Sequence, residues 1–299
     1  MYKINFKKPI HIHFIGIGGI SMSGLAEILL KEGFTVSGSD SRKSPLTQQL
    51  EDKGARIFYG QKAGNIIDGI ECVVYTAAIS RDNPELIEAV ARKIPMLTRA
   101  ELLGQLMKNY KNPIAVSGTH GKTTTTSMIS HILLEGNLDP TISVGGILQA
   151  IGGNIRVGNS ETFITEACEY TNSFLDFYPR ISVILNIEED HLDFFKDLED
   201  IRHSFHQFAS LLPPDGTLVI NSNIQNYEEI CDGLNCSVIT YGSSPDSNYS
   251  AQNISYDDKG CVSFDLLRNG TPAEHVVLSV TGDHNVSNAL ASIAVAELL

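Results

Sequence analysis

Residues with phosphate-binding chemistry fill the loop between a predicted strand, Ile114–Ser117, and a predicted helix, Lys122–Glu135. The loop reads Gly118-Thr119-His120-Gly121-Lys122-Thr123-Thr124. Its glycines let backbone amides face phosphate oxygens, the lysine can bridge β- and γ-phosphates, and the Thr123 hydroxyl can coordinate Mg²⁺. The loop is shorter than the usual GxxxxGK[ST] loop, but its chemistry is the same. It therefore predicts a nucleoside triphosphate site formed by these residues.

A second glycine-rich loop lies near the N-terminus and reads Gly16-Ile17-Gly18-Gly19-Ile20-Ser21. Such glycines permit a tight turn, and amides at the start of the following helix can approach a pyrophosphate. The dinucleotide pattern GxGxxG fails at its third glycine, which is Ser21. Asp40 follows about 20 residues later, where a carboxylate could accept a hydrogen bond from a ribose hydroxyl. These residues favour a nucleotide or nucleotide-sugar diphosphate, and this loop alone does not exclude NAD.

Acidic residues and one histidine are candidates to hold the metal that accompanies a nucleoside triphosphate. Glu166 ends a predicted strand at the sheet edge where α/β proteins bind ligands, and Glu169 follows closely. A predicted strand over Ile181–Ile187 leads into Glu188-Glu189-Asp190-His191. A histidine that follows the end of a strand and has carboxylates beside it could be a metal ligand or an ordinary surface residue, and the sequence supports both equally. The spacing alone does not decide which of these residues would bind the metal.

The last polar segment, Gly282-Asp283-His284-Asn285, begins a predicted helix over Asn285–Leu299. His284 and Asn288 are four residues apart and share one helix face. Asn288 could read a base edge, and His284 could stack on the base or hydrogen-bond to it. From this segment alone, capping of the helix by Asp283 and Asn285 is the simpler explanation. The helix has no C-terminal cap, from which we expect the natural protein to continue.

Alternating strands and helices must position these loops, which implies parallel strands joined by right-handed crossovers. The remaining predicted strands are Ile10–Ile17, Phe34–Gly38, Cys72–Ala77, Thr162–Glu166, Leu218–Asn221 and Val238–Tyr241. The remaining predicted helices are Met22–Glu32, Pro45–Lys53, Asn83–Arg92, Thr98–Tyr110 and Asp197–Leu211. Turn residues at 257–260 and 268–270 predict an antiparallel meander over residues 250–281.

The predicted fold class is α/β, with two domains that meet at the polar stretch Lys108–Pro113. Residues 1–110 form an N-terminal Rossmann-like domain with a parallel sheet, which would bind the nucleotide-linked substrate. Residues 111–299 form a P-loop ATPase α/β domain with the antiparallel β-meander appended to it.

Composition excludes several classes of protein. The chain has 35 acidic against 22 basic residues and a net charge of −13, which argues against a general nucleic-acid binder. No apolar run approaches the ~18–20 residues that a membrane helix needs. The five cysteines contain no CxxC pair and are typical of reduced thiols in a cytoplasmic protein.

In their order along the chain, these motifs resemble the Mur ligases of peptidoglycan synthesis. The resemblance is carried by HFIGIGGISMSGLAEIL, VYTAAISRDNPE, LTRAELLGQLM, GTHGKTTTT, EACEY, NIEEDHLDFF and GDHNVSNALA. It extends over essentially all 299 residues. It implies two of the family's three domains, so that the C-terminal domain, which helps to bind the amino acid, lies outside this chain.

The resemblance implies a role for each matching residue. Lys122 corresponds to the phosphate-binding lysine and Thr123 to the hydroxyl on Mg²⁺. Glu166 corresponds to the metal-ligating glutamate and His191 to the histidine at a second metal. His284 and Asn288 correspond to the residues of the adenine site. Gly16, Gly18 and Gly19 correspond to the loop that receives the diphosphate of the UDP-sugar.

The family also implies a two-step reaction with ATP and Mg²⁺ as cofactors. The γ-phosphoryl group of ATP passes to the lactyl carboxylate of UDP-N-acetylmuramate and forms an acyl phosphate. The amine of L-alanine then attacks, and the tetrahedral intermediate collapses to the amide, ADP and phosphate. Because the third domain is missing, we expect binding without turnover from this chain alone.

This sequence departs from the family pattern at several positions. The common spelling EADESD is replaced by EACEYT, with Cys168, Tyr170 and Thr171 at the altered positions. Some relatives carry a carbamylated lysine about 14–15 residues after the metal histidine, where this chain has Phe205 and His206. We therefore predict no such modification.

Three alternatives remain beside the alanine-adding ligase. A recycling ligase would join a whole peptide to UDP-N-acetylmuramate, although the first glycine loop favours the alanine-adding branch. A nicotinamide-dependent oxidoreductase would use that loop but would leave Lys122 and Glu166 unexplained. A nucleotide-sugar sensor would bind without catalysis.

Overall fold

The computed structural model describes residues 2–76 and 78–299 and contains two sheets. The first is a five-stranded parallel sheet in the order β3-β2-β1-β4-β5. Its strands are β1 His11–Ile15, β2 Thr35–Asp40, β3 Arg56–Tyr59, β4 Cys72–Tyr75 and β5 Met96–Thr98. Its helices are α1 Ile20–Lys31, α2 Pro45–Asp52, α3 Pro84–Ala91 and α4 Arg99–Met107.

The second sheet has ten strands in the order β15-β14-β13-β12-β11-β10-β6-β9-β7-β8. Its strands are β6 Asn112–Ser117, β7 Thr141–Leu148, β8 Gly153–Arg156, β9 Thr162–Glu166, β10 Ile181–Ile184, β11 Thr217–Asn221, β12 Ser237–Tyr241, β13 Tyr249–Tyr256, β14 Cys261–Arg268 and β15 Thr271–Thr281. Its helices are α5 Lys122–Glu135, α6 Leu198–Ala209, α7 Tyr227–Cys231 and α8 His284–Ala296. Six adjacent strands pair in parallel, in the order β12-β11-β10-β6-β9-β7. At one side of them β13–β15 form an antiparallel meander, and at the other β8 pairs antiparallel with β7.

Local sequence signals explain where the helices of the first sheet begin. Ser44 and Thr98 form capping boxes at the starts of α2 and α4. Asn83 caps α3 by accepting hydrogen bonds from two backbone amides of its first turn, and Pro84 follows as the first helical residue. These caps satisfy amides that lack partners within the helix.

The predicted α/β class is confirmed, and so is the antiparallel meander at the end of the second sheet. Helix α5 and strand β9 have the bounds that the sequence predicts. Strands β3, β5, β7 and β8 and helix α7 were not predicted, because they are short or rich in polar residues and glycine. The strand predicted over residues 72–77 ends at Tyr75, and Ala77 lies outside the described residues.

The two sheets are joined by direct packing as well as by the chain. The Lys31 ammonium group donates to the backbone oxygens of Val157 and Gly158, at the end of β8. A Cβ atom on Gly24 would lie 2.0 Å from Ile155 Cγ1, so α1 can lie this close to β8 only with glycine there. The chain passes from one sheet to the other between Thr98 and Asn112, and a domain boundary after residue 110 stays a prediction. Within residues 2–76 and 78–299, no helix combines the length and apolar character needed to span a bilayer.

Candidate nucleotide and substrate site

The predicted phosphate loop connects the C-terminal end of β6 to the start of α5, between β9 and β10. Gly118 has a φ of +143°, and a Cβ atom there would lie 2.8 Å from Leu185 Cβ. Gly121 caps α5 with a φ of +86°. In the described part of the chain, the amides of Gly121, Lys122 and Thr123 donate to no acceptor. Free amides at a helix N-terminus form an anion-binding site, so the loop can receive phosphate oxygens.

The Lys122 ammonium group lies back over its own loop. It donates to the Gly118 carbonyl at 2.5 Å and to the Thr119 carbonyl at 3.1 Å. It also contacts both oxygens of Glu169, at 3.0 and 3.2 Å. The Glu169 side chain is only 3% exposed, so this ion pair is largely shielded from water. The lysine is thus held at the position where phosphates would meet the loop.

Glu169 also belongs to a group of three possible metal ligands together with Asp190 and His191. One ligand atom from each lies within 4.8 Å of the others. The His191 ring lies 4.5 Å from the Tyr170 ring, centroid to centroid. The Tyr170 hydroxyl in turn donates to Asp193 at 2.8 Å. Two carboxylates and an imidazole are a donor set that suits Mg²⁺ or Mn²⁺ at the carboxylates and a softer ion at the imidazole.

Glu166 lies outside this group, at the end of β9. Its Oε1 accepts a hydrogen bond from the Gly145 amide in β7. A Cβ atom on Gly145 would lie 2.7 Å from Glu166 Oε2, and one on Gly146 would lie 3.3 Å from Thr123 Cγ2. Glu166 and Thr123 therefore approach the same pair of glycines, while His191 is grouped with Glu169. This arrangement is compatible with two separate cation positions.

The N-terminal glycine loop is held mainly by β2. The Ser39 carbonyl accepts hydrogen bonds from the amides of Gly16 and Ile17, each at 2.9 Å. The Asp40 carboxylate accepts from the Gly18 amide at 2.9 Å. Asp40, predicted to bind a ribose hydroxyl, is thus already bonded to the loop that follows β1. Ser21 lies on the first turn of α1 and is exposed.

A buried polar network supports this loop from below. Glu85 accepts hydrogen bonds from the Ser39 hydroxyl at 2.6 Å and from the Asn65 side chain. The His13 ring lies 3.6 Å from Glu85, and both side chains are fully buried. Burial alone would raise the pKa of Glu85, but the neighbouring His13 and the hydrogen bonds from Ser39 and Asn65 outweigh it and hold the pKa below its usual value. Ser39 therefore links the loop to an ionised carboxylate in the core.

The closing helix α8 differs from the sequence interpretation. Asp283 precedes it but makes no side-chain capping bond, and instead accepts from the Tyr256 hydroxyl. The capping explanation for Asp283 is therefore wrong. Asn288 is buried and its side-chain oxygen accepts from Thr125 in α5, while His284 is exposed. Since Asn288 Oδ1 is also 2.9 Å from a Cβ built on Gly121, the side chain supports the phosphate loop from behind.

A cleft of 660 Å³ lies between the two sheets. One wall is formed by Ile79 and Arg81, from the loop between β4 and α3, and by Arg99 at the start of α4. The opposite wall is the segment after β9, which includes Cys168, Tyr170 and Thr171. Thr171 has a φ of +55°, an unusual conformation for a β-branched residue. The residues that depart from the family spelling therefore line this cleft.

Cys168 shows how the cleft is connected to the phosphate loop. Burial and the neighbouring Glu169 raise the pKa of the Cys168 thiol, while Lys122 and Arg99 act in the opposite direction. A raised pKa keeps the thiol protonated and makes it a poor nucleophile at neutral pH. Because Cys168 lines the cleft and adjoins Glu169, which pairs with Lys122, the cleft and the phosphate loop meet near this residue.

Sequence reasoning missed three contributors to the site. Arg99 lies within the motif LTRAELLGQLM, but one arginine at a helix start is common and no role was predicted for it. The pair Gly145–Gly146 could have been noticed, because glycines inside a strand often mark a close approach. The pairing of Glu169 with Lys122 joins residues that are 47 positions apart and had no local signature.

Comparison with known proteins supports the assignment of the family. Residues 11–111 match a model described as "Mur ligase family, catalytic domain", and residues 116–296 match the Mur ligase middle domain. A protein of Agathobacter rectalis named UDP-N-acetylmuramate–L-alanine ligase is 64% identical over the whole chain, and one of Lachnospira eligens with the same name is 61% identical over 98% of it. The chain spans 65% and 64% of the lengths of these two relatives.

Solved structures agree with the sequence comparison. A Thermotoga maritima UDP-N-acetylmuramate–alanine ligase has a TM-score of 0.81 and 31% identity, with 97% of this chain and 65% of that chain covered. A Neisseria meningitides UDP-N-acetylmuramate:L-alanyl-γ-D-glutamyl-meso-diaminopimelate ligase has a TM-score of 0.86 and 31% identity, with 97% and 94% covered. The middle-domain model matches more than half of the chain, so this protein belongs to the Mur ligase family.

Proposed function

We propose that the protein joins L-alanine to UDP-N-acetylmuramate at the expense of ATP, in peptidoglycan synthesis. The γ-phosphoryl group passes to the lactyl carboxylate, L-alanine attacks the acyl phosphate, and the amide, ADP and phosphate leave. The observation that carries this proposal is the placement of Lys122 and the Glu169–Asp190–His191 group beside Cys168 and Tyr170, which line the cleft between the sheets. The 64% identity to a ligase with this name supports the choice of substrates.

Lys122 is the residue that would neutralise the β- and γ-phosphates. Its ammonium group is now shared between two loop carbonyls and Glu169. Arrival of a triphosphate at the free amides of Gly121–Thr123 would offer the lysine a stronger anionic partner. The lysine would then turn from Glu169 to the phosphates, and the carboxylate would become free. Positioned charge of this kind stabilises phosphoryl transfer without any covalent chemistry by the protein.

We further propose that Mg²⁺ is held at two positions, by Thr123 with Glu166 and by His191 with Glu169 and Asp190. The oxygen donors fit magnesium, and the approach of Thr123 and Glu166 to the glycines of β7 supports the first position. When bound, the ion neutralises phosphate charge and orients the transferred group. The proposed ATP contacts are the phosphate loop, residues 118–124, together with His284 and Asn288. Because Asn288 is buried behind Gly121, its contribution would be to shape the loop.

The N-terminal glycine loop is the proposed diphosphate site for the nucleotide sugar. Its contacts would come from Gly16, Gly18, Gly19, Ser21 and Asp40. We propose residues 1–110 as the domain for this substrate and residues 111–299 as the ATPase domain. The cytoplasm is the proposed compartment, since ATP and nucleotide sugars are both available there.

A peptide-recycling ligase is the second candidate function. The 0.86 TM-score to the Neisseria peptide ligase favours it, but that protein is 31% identical, whereas the alanine ligase of Agathobacter rectalis is 64% identical. The chemistry at Lys122 would be the same for both, and only the incoming amine would differ.

Calorimetric titration of this chain with UDP-N-acetylmuramate, and in parallel with NADH, tests the proposal. We expect binding of the nucleotide sugar and none of NADH. The reverse result would contradict the substrate assignment and favour an oxidoreductase. Phosphate release by the whole protein in the presence of L-alanine or of the L-alanyl-γ-D-glutamyl-diaminopimelate peptide then distinguishes the two ligases.

A further inference from the structure

Arg99 lines the cleft between the sheets and has no counter-ion among the described residues. It is the first residue of α4 and is only partly exposed. Among the residues that the structure describes, none forms an ion pair or a side-chain hydrogen bond with its guanidinium group. Burial lowers the pKa of Arg99 from its ordinary value, with Cys168 opposing the shift. A partly buried cation with five unused donors is costly unless an anion completes it.

The acids closest to this wall of the cleft are engaged elsewhere or are not ionised easily. Glu101 accepts a hydrogen bond from the Thr98 amide at the start of the same helix. Asp176 lines the cleft, but burial and Glu101 raise the pKa of its carboxyl group, and it forms no ion pair with Arg99 among the described residues. The partner of Arg99 is therefore expected to come from a ligand.

The course of the cleft indicates which part of a ligand would reach Arg99. At one end, Ile79 lines the cleft and lies 3.7 Å from a Cβ atom built on Gly16, in the glycine loop. At the other end, Cys168 lies next to Glu169, whose carboxylate holds Lys122. A nucleotide sugar with its diphosphate at Gly16–Gly19 would extend its sugar along this path toward the phosphate loop. A carboxylate on that sugar would arrive near Arg99 and Cys168.

We infer that Arg99 binds the lactyl carboxylate of the sugar nucleotide and so selects the N-acetylmuramoyl substrate over its N-acetylglucosamine counterpart. The planar guanidinium group matches a carboxylate with two parallel hydrogen bonds, which a lysine cannot reproduce. The same contact would hold the carboxylate where it faces the γ-phosphate at Lys122. This inference rests on the proposed function and adds a specificity residue to it.

Two ligands that differ only in the lactyl group test the inference. UDP-N-acetylmuramate and UDP-N-acetylglucosamine are titrated by calorimetry into the wild-type chain, Arg99→Gln and Arg99→Lys. We expect the wild type to prefer the muramate by about ten- to a hundredfold, the range of a hydrogen-bonded charge pair. Arg99→Gln should lose this preference, with affinity for UDP-N-acetylglucosamine unchanged, and Arg99→Lys should keep part of it.

Arg81→Gln is the matched control, because Arg81 lines the same cleft but is exposed. It should leave the preference intact. Loss of the preference in Arg81→Gln and not in Arg99→Gln would overturn the inference, as would equal weakening of both ligands by Arg99→Gln. The melting temperature provides a second readout: removing an unpaired cation should leave it equal or higher, whereas a structural role for Arg99 would lower it. If the wild type binds neither nucleotide sugar, the proposed function itself fails.

Discussion

The two glycine loops share a strand–loop–helix plan but are held in opposite ways. The N-terminal loop is anchored by carboxylates: Asp40 bonds the Gly18 amide, and Ser39 connects the turn to the buried Glu85. The phosphate loop instead carries a cation, Lys122, which is held by loop carbonyls and by Glu169. One loop is thus stabilised by a network in the core, and the other holds its charged group in a largely shielded ion pair with Glu169.

This difference suits the two ligands that we propose. A loop that only positions a substrate benefits from a rigid support, which the buried Glu85 network supplies. A loop that takes part in phosphoryl transfer needs a charge that can exchange one anionic partner for another. The same glycine pattern in the sequence therefore serves two electrostatic roles, which depend on residues that are distant in the chain.

The largest effect should come from Lys122→Ala. No other described cation contacts the phosphate loop in the way Lys122 does, so we expect ligase activity of the whole protein to fall by at least about a hundredfold. Phosphate release that depends on L-alanine measures this. Lys111→Ala is the control, since this exposed lysine precedes β6 at the end opposite the loop. Normal activity in Lys122→Ala would refute the phosphate-loop assignment.

Glu85→Ala should destabilise the fold around the N-terminal glycine loop. Removing this buried carboxylate leaves the Ser39 hydroxyl without its acceptor, removes one of the two acceptors of the Asn65 amide and takes away the charge beside His13. We expect the free energy of unfolding to fall by about 3 kcal/mol. Urea denaturation measures the change. Glu88→Ala on the same helix removes only a surface ion pair with Arg92 and should cost less than about 1 kcal/mol. Equal losses in both variants would contradict the special role of Glu85.

The pH dependence of stability follows from the same carboxylate. Its pKa is lower in the folded than in the unfolded chain, so its contribution is fully present above about pH 4.3, the ordinary value for Glu. The contribution is lost as the pH falls through the folded value. We expect the unfolding free energy of the wild type to decline more steeply below pH 4.3 than that of Glu85→Gln. Parallel declines would show that Glu85 is not ionised in the folded protein.

Gly118 of the phosphate loop and Gly18 of the N-terminal loop should respond differently to alanine. Gly118→Ala places a Cβ atom 2.8 Å from Leu185 Cβ and 3.1 Å from the Asn186 amide nitrogen, at a φ of +143°. We expect it to cost about 2 kcal/mol. A Cβ atom on Gly18 would lie 2.8 Å from Asp40 Oδ2 and from Cγ2 of the buried Thr47, but Gly18 does not have the positive φ of Gly118, so we expect Gly18→Ala to cost less than Gly118→Ala. Thermal unfolding measures the stability of both variants. A larger loss of stability in Gly18→Ala than in Gly118→Ala would contradict the prediction.

The smallest expected effect is that of Asp40→Ala. It removes the acceptor for the Gly18 amide, and we expect affinity for UDP-N-acetylmuramate to fall about fivefold, with binding of an ATP analogue unchanged. Calorimetry measures both ligands, with Asp52→Ala as an exposed control. Tighter binding in Asp40→Ala would mean that the carboxylate repels the diphosphate and that its predicted role is wrong.

Much of the fold could be predicted because its signals are local. The glycine and lysine loop that leads into α5, the apolar run of β9 and the turns of the final meander are properties of neighbouring residues. Strand β7 could not be predicted in this way. Its glycines weaken the strand pattern, and it forms through pairing with β9, which is distant in sequence.

The sequence by itself determined the two loops, their glycines and the lysine, because a phosphate-binding turn needs these residue types at these spacings. Only the tertiary structure decided which charges those loops meet. It pairs Lys122 with Glu169, makes Asn288 a buried support and, within residues 2–76 and 78–299, leaves Arg99 without an ion-pair partner in the cleft. The physical reason is that charge and burial depend on contacts between distant segments, which a local pattern does not encode.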